Sequence, residues 1–364
     1  MSTGIGNDRT ETDTELATAS LPSVTTRVRQ LPDWAPWGVL AAAVVVVGGG
    51  TLLFGRGVGL AVGLTVVVYA AAMYLASRTV EGPRKATDRL VTVLVTAAFL
   101  AAMAPLVSVV ITVLANGIAR FDVEFFTYSM RGVVGEGGGA YHALLGTLII
   151  TAIAAVLSIP VGLLTAVYLV EYGKGKLARA ITFFVDVMTG IPSIVAGLFA
   201  FALFALFFGP GVRMGFMGSI ALCVLMIPVV VRSTEEMLKI VPNELREAAY
   251  ALGVPKWRTI TKVVLPTSIA GIASGITLAI ARVIGETAPL LIAVGITTGV
   301  NLNPFDGRMA TLPVFSYYSY VAPGVPREPF IDRAWTAALV LIVLVMALNL
   351  LARLVARAFA PKTR

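Results

Sequence analysis

The 364-residue chain has one cysteine, Cys223, one histidine, His142, and only 13% charged residues. A single cysteine excludes an internal disulfide framework, and one histidine beside it leaves too few of the usual ligands for a zinc site. The shortage of charge excludes more. A soluble domain averages about 25% charged and about 45 to 50% apolar residues, whereas here 57% are hydrophobic and the mean hydropathy is +0.88. Gly-x-x-x-x-Gly-Lys-Ser/Thr, the loop whose backbone amides cradle nucleotide phosphates, is also missing, so the chain is expected to hold no nucleotide of its own. No Gly-x-Ser-x-Gly turn presents a serine nucleophile: Ser193 stands in Gly190-Ile191-Pro192-Ser193, without that framing. An intramembrane enzyme is therefore disfavoured.

What the chain has instead is apolar length. Eight runs of at least 18 mostly uncharged residues occur, at 37–54, 58–76, 91–115, 143–170, 181–208, 214–231, 264–297 and 334–352. A bilayer core about 30 Å thick needs about 20 apolar helical residues. Lipid admits only helices or closed barrels, and these runs lack the short alternation of barrel strands. The expected fold is all-α, a polytopic transmembrane helical bundle. Pro105, Pro160, Pro192, Pro228 and Pro289 fall inside runs and predict bent helices whose freed backbone groups are satisfied by neighbours.

Residues 1–36 are polar, rich in Ser and Thr, and lack the short apolar core and cleavage site of a signal peptide. They read as a polar cytoplasmic tail. The formal net charge of +8 is mainly a topology signal: with the N-terminus inside, 20 of the 28 Lys and Arg fall in inner segments, 7 in outer ones, and Arg282 within a run. Both termini are expected to be cytoplasmic, which requires an even number of crossings.

The longest inner loop carries the most information. Over residues 241–258 Asn243 suits a helix N-cap, Gly253 a left-handed helix end, and Pro255 the first turn of a second helix. Leu245, Ala248, Ala249 and Leu252 recur at helical spacing, giving one small apolar face and one charged face. Such a helix either presses into a partner's groove or lies on the membrane surface.

Glu247-Ala248-Ala249, then Gly253, Val263, Leu265 and Pro266, resembles the EAA loop of binding-protein-dependent ABC importer permeases, with valine replacing isoleucine as the one departure. The resemblance extends over about residues 90–360. It is carried further by Ile191-Pro192-Ser193-Ile194-Val195, Gly197-Leu198-Phe199, Gly285-Glu286-Thr287-Ala288-Pro289-Leu290-Leu291, Leu312-Pro313-Val314 and Leu348-Asn349-Leu350-Leu351-Ala352-Arg353. Together these are similar to the PstA-type permeases of phosphate importers; Ala288 and Pro289 separate them from the PstC type. The resemblance implies a MetI-like core of six helices, preceded by an extra hairpin at 37–80. It implies ATPase coupling through Glu247, Ala248, Ala249, Gly253, Leu265 and Pro266. The implied partners are a PstC-type sister permease, a PstB-type ATPase dimer that holds the ATP and Mg, and an extracytoplasmic PstS-type phosphate-binding protein. No nucleic acid is implied. The loop itself does not separate phosphate from sulfate or molybdate.

Three charges lie in or beside apolar runs. Arg282 and Glu286, four apart, are expected to share a helix face and pair, either neutralising each other or offering the arginine's planar fork to phosphate oxygens. Arg232 either snorkels to the inner surface or stands at the inner mouth of a pathway. Asp186 is expected to be a helix-start charge near the inner interface. Gly271 and Gly275 have the spacing of closely packed membrane helices, a common pattern given little weight here. His142 is expected at the outer interface, after a flexible loop at 135–139.

Overall fold

The computed structural model describes residues 31–54 and 57–359, and among these every regular element is helical. Most of the expected tail, along with Arg56, Lys362 and Arg364, lies outside the described residues. The chain divides into two compact units at Ser108, inside one long helix.

In the first unit α1 (Ala35–Phe54) and α2 (Val58–Val80) pack together, burying Ala43, Val47, Ala70 and Met73. After α2 the chain turns sharply into α3 (Pro83–Gly117). Glu81 organises that turn: its carboxylate accepts from Arg89 Nε at 2.7 Å and NH2 at 2.8 Å, from Ser77 Oγ at 2.7 Å and from the Leu31 N–H at 3.0 Å.

The second unit is built around α8 (Gly215–Ile240), two thirds of whose most apolar stretch is buried. Short α4 (Val123–Thr127) leads to α5 (Tyr141–Val167), which lies along α8 and continues through a π turn at Tyr168–Tyr172. Between α5 and α8 come α6 (Lys176–Gly190) and α7 (Ser193–Phe208). After α8 come α9 (Asn243–Ala251), α10 (Lys256–Thr259), a π turn at Ile260–Val264, and α11 (Leu265–Ile284). Then follow α12 (Ala288–Ala293), α13 (Leu312–Val321) and α14 (Glu328–Phe359).

In lipid no hydrophobic force drives helices together, so close packing of small residues and interhelical hydrogen bonds must do it. Ser219 Oγ donates to the Ile150 carbonyl at 3.1 Å and Cys223 Sγ to that of Ala154 at 3.6 Å, joining α8 to α5. Further along α8, at Ser233 and Met237, the glycine spacing of Gly271 and Gly275 decides the approach of α11. A Cβ on Gly271 would lie 2.2 Å from Met237 Sδ, and one on Gly275 2.5 Å from Ser233 Oγ.

Six helices among the described residues are long and apolar enough to cross a membrane, or seven if one bent pair counts as a span; Ala35–Thr51 is apolar but shorter. Two expected runs therefore need correction. Run 181–208 is not one rod: α6 and α7 meet at 110°, because Pro192 offers no N–H and holds Ile191 in an extended conformation (φ −69°, ψ 128°). Run 264–297 stops at Ile284, with Gly285 as its cap and three residues without helical structure before α12. Asp186 does not start a helix. It sits in the later half of α6 and pairs with Arg232 of α8.

The Arg89 guanidinium holds the Glu81 carboxyl down to about 2, helped by the Leu31 amide and the Ser77 hydroxyl against the cost of burial. Because the folded value is depressed, the stability contributed by the ionised group is complete above about pH 4.5 and is lost as pH falls toward 2. In detergent, the thermal midpoint of the wild type should exceed that of Glu81→Gln by a constant margin above pH 4.5, and that margin should shrink toward zero near pH 2.

Candidate functional site

Two regions gather the residues singled out by sequence. The first is the loop that follows α8. Its helix α9 starts at Asn243, with Pro242 in the capping position, so Asn243 is the first helical residue and not the cap; its Oδ1 accepts from Arg246. Pro242 holds the extended backbone that a cap requires. The helix ends as expected: Gly253 adopts φ +75°, its N–H reaches the Tyr250 carbonyl and that of Val254 the Ala249 carbonyl. This two-bond ending needs a left-handed residue, which glycine alone adopts without strain. Pro255 then caps α10.

The apolar face expected on α9 is split. Ala249 turns inward and is buried, while Leu245, Ala248 and Leu252 face outward, Leu252 with 82% exposure. Glu247 and Gly253 are exposed with them, as are Tyr250 and Trp257 nearby. Leu265 and Pro266 stand apart from this surface. They begin α11, where Leu265 packs into an inner core with Val231, Leu238 and Val264.

The second region is the break after α11. Arg282 occupies the last helical turn and is exposed; Glu286 follows the Gly285 cap and is half-buried. The expected pairing on one helix face is not formed, and among the described residues no ion pair reaches either side chain. The helix ends between them, so the four-residue geometry of a continuous turn does not apply. A cavity of about 410 Å³ opens beside the break, lined by Thr287, Ala288, Ser316 and Tyr317 among others. The helix that follows the other break lies close by, since a Cβ on Gly197 of α7 would come within 2.6 Å of Pro289 Cα.

Arg232 is engaged in the C-terminal half of α8, donating to Asp186 and, at 2.7 Å, to Glu235 Oε2; Lys239 reaches the other Glu235 oxygen at 2.7 Å. At the opposite end, sequence reasoning missed Arg333 and counted it as an outer-loop charge. Its side chain is fully buried, donates to the carbonyls of Gly135 at 2.9 Å and Gly137 at 2.7 Å, and lies 4.4 Å from the Phe330 ring centre. The glycine-rich loop is thus gripped rather than free, with Gly138 N–H bound to Glu124 at 2.8 Å and its carbonyl to Arg120 at 3.0 Å. No local pattern marks Arg333, whose partners lie nearly 200 positions away. His142 begins α5 as expected and is buried edge-on against Phe315 at 5.5 Å.

Residues 158–364 match the family model described as binding-protein-dependent transport system inner membrane component. The chain is 48% identical over 278 residues to the phosphate transport system permease protein PstA of Mycobacterium leprae, covering 75% of this chain and 90% of that one. With PstA 1 of Mycobacterium tuberculosis strain H37Rv the identity is 50% over 260 residues, covering 71% and 83%. The chain belongs to the PstA family of ABC transporter permeases. A methionine ABC transporter solved in inward-facing conformations aligns with 62% of this chain and 95% of its own, at a TM-score of 0.47 and 22% identity.

Membership makes the chain a multi-pass membrane subunit of a transporter, not an enzyme. The resemblance of the loop makes the exposed α9 surface the expected ATPase contact. Proline cannot adopt the φ of +75° at Gly253 and would remove the N–H bonded to Tyr250. Gly253→Pro should leave membrane insertion intact but sharply reduce co-purification of the ATPase; wild-type recovery would contradict the role of this loop.

Proposed function

We propose that this chain is one half of the membrane pathway of an ATP-driven phosphate importer. A PstC-type sister permease supplies the other half, a PstB-type ATPase dimer docks beneath, and a PstS-type binding protein delivers the anion from outside. Both termini lie in the cytoplasm in this reading. ATP and Mg belong to the ATPase; the chain itself contributes no cofactor. Glu247, Ala248 and Gly253 form the surface that the ATPase grips, Ala249 seats their helix from within, and Leu265, followed by Pro266, anchors the next helix to the inner core.

The observation that carries this reading is the interrupted helix at 285–287, with Arg282 in the turn before it, Glu286 within it, and Thr287 at its end lining a cavity. Non-helical backbone at membrane depth is tolerated where protein covers it or where it lines a watery cavity, and discontinuous helices are a recurrent way to build ion sites there. An exposed guanidinium at that point has a reason to be there if phosphate passes, because its planar fork matches phosphate oxygens. Glu286, unpaired with it, keeps the local charge near balance so that the anion also leaves. Arg232, already shared between two carboxylates, borders the inner mouth.

Uptake by proteoliposomes containing the four components tests this. Arg282→Gln should lower ATP-dependent phosphate uptake by about tenfold or more, the scale of losing a charge-assisted hydrogen bond, while the complex still assembles. Unchanged uptake would make Arg282 structural, and uptake of sulfate in preference to phosphate by the wild type would overturn the choice of anion.

A further inference from the structure

Beneath the inner loop lies a buried ion pair that neither the loop motif nor the pathway uses. Glu171 sits in the π turn that ends α5, and Arg246 on α9; their side chains are 5% and 12% exposed. Arg246 Nε and NH2 both donate to Glu171 Oε1, at 3.0 and 2.9 Å. The remaining donors go to the end of α8: NH1 to the Val241 carbonyl at 2.6 Å and NH2 to that of Leu238 at 3.0 Å. One guanidinium therefore ties three elements together. The second half of the loop is tied to the same place, because Lys256 of α10 donates to the Glu171 carbonyl and its ammonium lies 4.8 Å from the Tyr172 ring centre.

We infer that the Glu171–Arg246 pair is the joint through which movement of the inner loop is passed to α5 and α8. The inference rests on the reading of that loop as the ATPase contact. Three features favour a joint over a simple staple. The pair is buried, so separating it strands a desolvated charge, and the contact is kept or lost as a unit. Its acceptor stands in a π turn, a departure from regular helix that is frequent at functional sites. And α5 and α8 lie against each other along the bundle, sharing Ala166, Val231 and Leu238 in the inner core and Ile150, Leu222 and Met226 further out. A shift of α9 that keeps these bonds displaces both helix ends. The Arg232 network, half-exposed and joined to α6, does not touch the loop.

The test is a double-mutant cycle on the reconstituted four-component transporter, comparing wild type, Arg246→Met, Glu171→Gln and the double variant. The quantity read is phosphate moved per ATP hydrolysed, with ATPase co-purification measured alongside. A merely structural loss removes complexes from uptake and hydrolysis alike and leaves this ratio unchanged. Each single variant should assemble and lower the ratio by about 2- to 30-fold, the range for residues that modulate coupling between sites. The double variant should be no worse than the poorer single. A wild-type ratio in both singles, or a double variant whose loss is the product of theirs, would overturn the joint. If Arg246→Met does not assemble, Arg246→Lys keeps the charge and loses the fork; an intermediate ratio supports the inference, and a wild-type ratio contradicts it. Absence of ATP-driven phosphate uptake in the wild type would instead overturn the importer reading, before any variant is compared.

Discussion

Inside a bilayer no water is available to an open N–H or C=O, and this constraint shapes most of the second unit. It makes every long apolar run a helix. It also gives meaning to the two places where an apolar run is broken, at Ile191–Pro192 and at 285–287. Broken backbone at that depth must face protein or a watery cavity, and the helices that follow the two breaks, α7 and α12, pack directly on each other at Gly197 and Pro289. Arg282 stands in the last helical turn before one of these breaks and Glu286 within the break.

The unit is held differently in its middle and at its ends. In the middle, Ala154, Ser219, Ala221 and Cys223 let α5 and α8 approach, and nearer the C-terminal end of α8 Gly271 and Gly275 do the same for α11. At the ends, where partners in water or headgroups are near, arginines take over. Arg333 collects the carbonyls of Gly135 and Gly137, Arg232 bridges α6 and α8, and Arg246 gathers α5, α8 and α9.

Much of this was legible in the sequence because it is local. Apolar length marks the helices, Gly253 and Pro255 mark the ends of the loop helices, and the spacing from Glu247 to Pro266 marks the permease family. The rest depends on partners far apart in the chain. Glu171 and Arg246 are 75 positions apart, and Gly135 and Arg333 198, so no window of hydropathy or helical periodicity joins them. The failures have the same origin. Arg282 and Glu286 were paired on the assumption of an unbroken helix, yet Gly285 and Pro289 end one helix and start another. Asp186 was placed at a helix start because the apolar run seemed to begin near it, whereas the helix begins ten residues earlier, at Lys176, with basic residues on its exposed turns.

The central claim is that the break beside Arg282 lines a water-filled path through the membrane. Gly285 allows a direct measurement, since it is exposed, has a backbone that any residue adopts (φ −88°), and a Cβ there would meet only the Arg282 carbonyl at 3.9 Å. With the buried native thiol removed by Cys223→Ala, Gly285→Cys in the assembled transporter can be challenged with a water-soluble maleimide, with and without ATP. The predicted result is labelling at the introduced thiol at a rate that changes with ATP. Labelling only by a lipid-soluble maleimide, in every nucleotide state, would contradict the claim and place this face against the bilayer.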